Sequence, residues 1–302
     1  MLAVVIPYFK IDFFKICLDS LVNQTNQNFN VYIGDDASPE NPEEILKEYS
    51  GKLSFEYKRF KNNLGNKSLV QHWSRCVEMT QGENWIMLLC DDDFIGNNVV
   101  ETFYENIDFI NFHETNLVSF ATQVIDEKNR PISKIYRRHK VMNYADFFFD
   151  RFVHGGRSSL SEYIFRYDIF KEKGFRDMPL AWHSDDLAWM DFVDFNKIIV
   201  FNEAKVLFRL SKKNVSRPNY KLDTKVIATR KFFQIILIES FNKFKKNERK
   251  QLLLLIENTW YRHPFNPFRF WNLLILKKIK NSGLIDSIKF SRRVYLNYLR
   301  HK

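Results

Sequence analysis

Between residues 2 and 93, strand and helix signals alternate as β-α-β-α-β-α-β. This alternation constrains the fold more than any other feature of the chain. "LAVVIPYF" (2–9) is a short apolar run, the mark of a buried strand. "DFFKICLDSLVNQT" (12–25) places Phe14, Cys17, Leu18, Leu21 and Val22 at the spacing of one helical stripe. "NFNVYIGDD" (28–36) reads as a second strand. It is followed by a helix that Pro42 can open, with Glu43 and Glu44 where the helix dipole favours acids. "LSFEYKRF" (53–60) alternates Leu53, Phe55 and Tyr57, and "NKSLVQHWSRCVEM" (66–79) returns to helical spacing before "WIMLLC" (85–90) reads as a further buried strand. Such an order predicts an α/β fold with a mostly parallel sheet flanked by helices.

In open sheets of this kind ligands sit outside the carboxyl ends of the strands. Two of the predicted strands end in acids, Asp35-Asp36 and Asp91-Asp92-Asp93, so both clusters are expected at one edge. Three adjacent carboxylates raise one another's pKa, an arrangement that suits either a wet turn or a divalent cation. Hard cations take oxygen ligands and bridge carboxylates to substrate phosphates, so a metal-bound nucleotide diphosphate is the natural ligand. Glycine-rich dinucleotide and P-loop patterns and the G-x-S-x-G elbow are absent. His72, His139, His154 and His183 lack zinc-type spacing and read as structural or solvent-facing.

The middle of the chain is less regular. "GNNVVETFYENI" (96–107) and "YADFFFDRFV" (144–153) read as helices, "LVSFATQVI" (117–125) as a strand, and "DEKNRPISKIYRRHK" (126–140) as a polar loop. In "WHSDDLAWMDFV" (182–193), Ser184 reads as a helix N-cap with Asp185 and Asp186 in the first turn. Dipole stabilisation alone can explain acids placed there.

The net charge of +10 is uneven: residues 221–302 hold 19 Lys and Arg against 5 Asp and Glu, and the first 220 hold 27 against 31. Three segments are therefore expected: 1–100, 101–219, and 220–302 as a basic helical extension broken at Pro264 and Pro267. The extension interleaves basic residues with Trp, Phe, Tyr and Leu, a composition open to an anionic membrane surface, to nucleic acid, or to a solvated bundle. Three cysteines, Cys17, Cys76 and Cys90, suit a reducing compartment, no signal peptide is expected ahead of "MLAVVIP", and no apolar run is long enough to span a bilayer.

The stretches "VVIPYFK", "VYIGDDASPENP", "NNLGNKS", "GENWIMLLCDDDF" and "HSDDLAW" resemble, in order and spacing, the family 2 glycosyltransferases of the GT-A fold, of bacterial surface-polysaccharide type. The resemblance implies an inverting, metal-dependent transfer of a sugar from a nucleotide diphosphate donor, with UDP-sugar favoured. The implied acceptor is a glycan or a lipid-linked saccharide, as in capsule or O-antigen assembly. It places Pro7 and Tyr8 beside the nucleobase, with Asp35 reading the uracil edge and Asp36 next to it. It also assigns Asp91 and Asp92 to the donor side, Asp92 and Asp93 to Mn²⁺ or Mg²⁺ with Asp92 favoured, and Arg209 to phosphate. Cys90 stands where the family's D-x-D-D opens with Asp, and Ser211 stands near a place where the family often carries His. Asp186 is the implied base and Asp185 its alternate. A cytoplasmic location, peripheral on the inner face of the membrane, follows from the same resemblance, which favours lipid over nucleic acid for the tail. A metal-dependent phosphoesterase or nuclease, or a silent nucleotide- or glycan-binding module, are the competing readings. The oligomeric state is unassigned.

Overall fold

The computed structural model describes residues 1–217, 219–262 and 268–300. They form two compact units, Met1–Tyr220 and Lys221–Lys302. In the first unit the strands are β1 (Leu2–Tyr8), β2 (Phe29–Asp35), β3 (Phe55–Arg59), β4 (Trp85–Leu88), β5 (Phe94–Ile95), β6 (Leu117–Ile125), β7 (Pro131–Tyr136), β8 (Val141–Asn143), β9 (Tyr163–Arg166) and β10 (Lys197–Arg209). They make one sheet in the order β3-β2-β1-β4-β9-β6-β10-β5, with β7 on β6 and β8 on β10.

The parallel half, β3-β2-β1-β4, is the stretch whose alternation was legible. Its crossovers are α1 (Phe14–Val22), α2 (Glu43–Tyr49) and α3 (Leu69–Val77). β1 is buried on both faces, as its unbroken apolar run requires. Leu2, Val4, Ile6 and Tyr8 join one core with Phe14, Leu18 and Leu21 of α1. Ser68 caps α3 by accepting the Gln71 N–H. A Cβ on Gly34 of β2 would collide with Cys76 Sγ, so glycine is what lets α3 lie this close to the sheet.

The second half is mixed. β9 enters between β4 and β6, antiparallel to both, while β10 runs parallel to β6. The helices here are α4 (Val99–Glu105), α5 (Ile107–Phe112), α6 (Tyr144–Phe152), α7 (Tyr167–Lys173) and α8 (Ser184–Val193). Residues 126–140, expected as a loop, contain β7 paired antiparallel with β6; it is an exposed edge strand, so its composition stays polar. Ser184 is not the N-cap of α8. His183 holds that position in a left-handed conformation (φ 69°), and the Ser184 hydroxyl accepts the Met178 N–H.

The second unit is helical: α9 (Leu222–Ile235), α10 (Lys246–Arg262), α11 (Phe268–Ser282) and α12 (Leu284–Arg300). Its interior includes Phe232, Phe233, Ile236, Leu253, Ile256, Leu274 and Phe290. Gly283, at φ 92°, turns α11 into α12, the left-handed position that glycine adopts without penalty. Pro264 and Pro267, expected to break the helical stretch, lie outside the described residues. Among the described residues no helix is long and apolar enough to cross a membrane.

Candidate active site

The strand register puts Tyr8, at the carboxyl end of β1, beside Asp35 at the end of β2, and β4 runs out into Asp91–Asp93 on β1's other side. Both acid clusters thus share one edge. Their carboxylates, however, do different things.

Asp35 is fully buried. Its Oδ1 accepts the Ser38 N–H (2.7 Å), and its Oδ2 accepts the Tyr57 hydroxyl (2.7 Å) and Arg59 Nη1 (2.7 Å). A sealed carboxylate with three internal donors ties β2 to β3 and has no face left for a uracil edge. Asp36 accepts the N–H groups of Leu64 (2.7 Å) and Gly65 (2.8 Å) and pairs with Arg75, which fastens the "NNLGNK" loop. A Cβ on Gly65 would meet Asp36 Oδ2 at 2.6 Å, so glycine is needed where that loop approaches the acid. Burial pushes the Asp36 pKa up, against the pull of those donors.

Asp91 turns back to β1, its Oδ2 accepting the Phe9 and Lys10 N–H groups at 2.7 Å each. Asp93 turns the other way, taking the Ser161 hydroxyl on Oδ2 (2.6 Å) and the Arg209 N–H on Oδ1 (2.8 Å). Among the described residues no other residue donates a hydrogen bond to the Asp92 carboxylate; Asp91 and Asp92 are 7 % and 8 % exposed and Asp93 1 %. Burial, then the neighbouring Asp92 charge, pushes Asp91 up to about 7 and Asp93 up to about 8, and burial raises Asp92 as well. Cys90, Asp92 and Asp93 bring one ligand atom each within 4.8 Å of one another. A free carboxylate among buried like charges with too few counter-charges fits a hard divalent cation.

Arg209, expected to face phosphate, is engaged with the acid loop. It is fully buried, its Nε donates to the Asp92 carbonyl (2.9 Å) and its Nη1 to the Asp126 carbonyl (2.8 Å), and the guanidinium lies 4.1 Å from the Phe13 ring centroid. It braces the acid loop from β10. A cleft of about 560 Å³ opens at the sheet edge, lined by Phe9 and Lys10 after β1, Pro39 and Glu40 after β2, and Lys213 and Arg217 after β10. Beneath it Tyr8 donates to the Glu40 carbonyl (2.9 Å), and burial raises the Tyr8 pKa.

The second pair of acids sits at the start of α8, after a strained segment. Leu180, Ala181 and His183 all have positive φ (60°, 55° and 69°), which costs non-glycine residues of order 1 kcal/mol or more each. That turn sets His183 Nδ1 2.7 Å from Asp186 Oδ2, while Arg151 Nε lies 3.6 Å from Asp186 Oδ1. Burial opposes charge on Asp186, yet Arg151 and His183 hold its pKa below the ordinary value. Asp185, half-buried beside it, is pushed up to about 7 by burial and then by the Asp186 charge. Of the two expectations for His183, structural or solvent-facing, the buried contact with Asp186 fits the structural one.

The segment 157–163 supports the first acid group from the side of β9. Ser161 Oγ bridges the Cys90 N–H (3.1 Å) and Asp93, and the adjacent, fully buried Glu162 accepts Arg157 Nη1 (3.2 Å) and the Ser159 hydroxyl (2.8 Å). Arg138 lies 3.7 Å from the other Glu162 oxygen. Sequence reading missed these residues: "HGGRSSLSE" has no telling spacing, and only the pairing of β9 with β4 brings Ser161 to Cys90.

The family profile described as Glycosyl transferase family 2 matches residues 3–174 of the chain. The chain belongs to that family. This family 2 glycosyltransferase is similar in fold to residues 1–349 of S. aureus TarS in complex with UDP-GlcNAc. The TM-score is 0.66 at 15 % identity, covering all of this chain and 92 % of that one. It is also similar to GalNAc-T7 with UDP, GalNAc and Mn²⁺ (TM-score 0.56, 11 % identity, 94 % of this chain and 55 % of that chain). The mannosyltransferase PcManGT from Pyrobaculum calidifontis, in complex with GDP-Man and Mn²⁺, is a further likeness (TM-score 0.51, 12 % identity, 93 % and 86 %). At these identities the likeness is one of fold, GT-A. No curated protein matches the chain significantly.

Proposed function

We propose that this glycosyltransferase moves a sugar with inversion from a UDP-linked donor to a hydroxyl of a saccharide or lipid-linked saccharide, in the assembly of a surface polysaccharide. The observation that carries the donor half is the Asp92 carboxylate, to which no other described residue donates a hydrogen bond, while Asp91 and Asp93 are held on either side of it. UDP and Mn²⁺ in the fold relatives support the same reading. Asp92, with Asp93 beside it, would hold Mn²⁺ or Mg²⁺, and the bound cation supplies positive charge to the departing diphosphate.

The protein's own part is to orient and to take a proton. Pro7 and Tyr8, at the carboxyl end of β1, would border the nucleotide, next to a cleft walled by Lys10 and Lys213. The acceptor oxygen attacks the anomeric carbon opposite the leaving group. The new C–O bond forms as the bond to the diphosphate oxygen breaks, and the acceptor proton passes to Asp186. His183 fixes that carboxylate, and Arg151 and His183 keep it ionised, the state a base requires. Asp185 is the alternate, with a pKa nearer neutrality.

The test pairs donor binding with turnover. UDP with Mn²⁺, at about 100 times its Kd, is expected to add about 2.7 kcal/mol to the stability of the folded protein. Asp186→Asn is expected to keep that stabilisation and to lose roughly 10²–10⁴-fold in transfer. A protein unmoved by any nucleotide diphosphate with Mn²⁺ overturns the donor reading. Full transfer by Asp186→Asn, with transfer lost in Asp185→Asn, moves the base to Asp185.

A further inference from the structure

The hairpin of α11 and α12 in the helical unit carries an outward face that the transferase reading does not use. α12 packs Ser287 and Phe290 inward. At 100° per residue, Leu284, Ile285, Ile288, Tyr295 and Leu296 fall within one arc roughly 120° wide, opposite Phe290. All five are exposed, Leu284 by 62 %, Ile285 by 70 %, Ile288 by 60 % and Tyr295 by 62 %. Leu276 and Ile279, exposed on α11, lie within two helical turns of Gly283, at the same end of the hairpin as Leu284 and Ile285. Single exposed aliphatics are ordinary, but a contiguous stripe is not. Lys280, Lys289 and Arg292 are exposed beside or within the stripe, and among the described residues none of the three forms an ion pair.

We propose that this hairpin is a membrane-surface anchor that lays the α12 stripe into the interface of an anionic bilayer. Aliphatic side chains need hydrocarbon, the unpaired cations need anionic headgroups, and a tyrosine suits the boundary between them. A second copy of the chain fits poorly, because pairing this face with itself opposes Lys280, Lys289 and Arg292 to their own like charges. Nucleic acid also fits poorly, because bases stack on aromatic faces and this stripe offers one ring among four aliphatics. The proposal stands independently of the sugar-transfer chemistry.

The experiment is vesicle co-sedimentation of the full chain. It is expected to bind phosphatidylserine-containing vesicles, to bind pure phosphatidylcholine weakly, and to be released by salt. Ile285→Ser with Ile288→Ser is expected to lower the partition coefficient at least about tenfold. Lys289→Gln with Arg292→Gln is expected to lower it roughly thirtyfold. An unchanged thermal midpoint in both variants supports the reading by showing that the loss comes from the surface and not from unfolding. Three results overturn it: a full chain that ignores anionic vesicles, variants that bind as the unaltered chain does, or variants that instead dissolve an oligomer or lose oligonucleotide binding while keeping vesicle affinity.

Discussion

Asp91, Asp92 and Asp93 are identical in type, adjacent in sequence and unequal in the fold. Each outer acid is held by two hydrogen bonds from the surrounding structure, and among the described residues the middle one receives none from another residue. Asp92→Asn is therefore expected to act in two directions. Removing one of three crowded buried charges raises the stability of the cation-free protein by about 1 kcal/mol. The same change abolishes the extra thermal stability that Mn²⁺ gives in the presence of UDP. A thermal melt with and without the ion reads both effects, and a variant still stabilised by Mn²⁺ moves the ligand to Asp93. Residue type was enough to select the triple acid as a candidate. Side-chain direction was not, because it depends on the Phe9 and Lys10 amides on one side and Ser161 and Arg209 on the other.

At the scale of elements, legibility followed burial pattern. β1, α1, β2, α2, β3, α3 and β4 were readable because each buries a periodic face against its sequence neighbours. β7 and β9 were not, since one is an exposed edge and the other is four residues whose partners, β4 and β6, are distant in sequence. The helical unit holds a comparable surprise. Glu257 of α10 is buried and paired with Lys278 of α11, itself buried, and with Arg293 of α12 (Nε–Oε1 3.0 Å), so one carboxylate ties three helices. Removing one partner of a buried ion group strands the other. Glu257→Gln is expected to destabilise the helical unit by about 3 kcal/mol, read as faster amide exchange across α10–α12 with little change in β1–β4. An unchanged exchange pattern assigns the triad to the surface class of weak pairs.

For the whole molecule the acid loop sets a pH dependence. Asp91 and Asp93 titrate near 7 and 8 in the fold but near the ordinary carboxylate value when unfolded. The folded state thus binds more protons than the unfolded state across that interval. The stability this contributes is fully present below about pH 4 and is lost as pH rises through about 7 and 8. The cation-free protein is expected to lose thermal stability between about pH 5.5 and about pH 8.5. Mn²⁺ should recover most of it at the upper end, because the ion binds the deprotonated acids. A midpoint that rises with pH in the absence of metal contradicts this account. The sequence by itself determined the parallel half-sheet, the edge at which the acids gather, the family and the separate basic tail. All of these rest on local periodicity, strand ends and composition, which need no distant contact. Tertiary structure alone decided which acid is free, that Arg209 braces the acid loop, that His183 holds Asp186, and that Ser161 joins Cys90 to Asp93. Those outcomes depend on pairings between residues about 70 to 120 positions apart and on a strained turn at 180–183, and no local pattern encodes either.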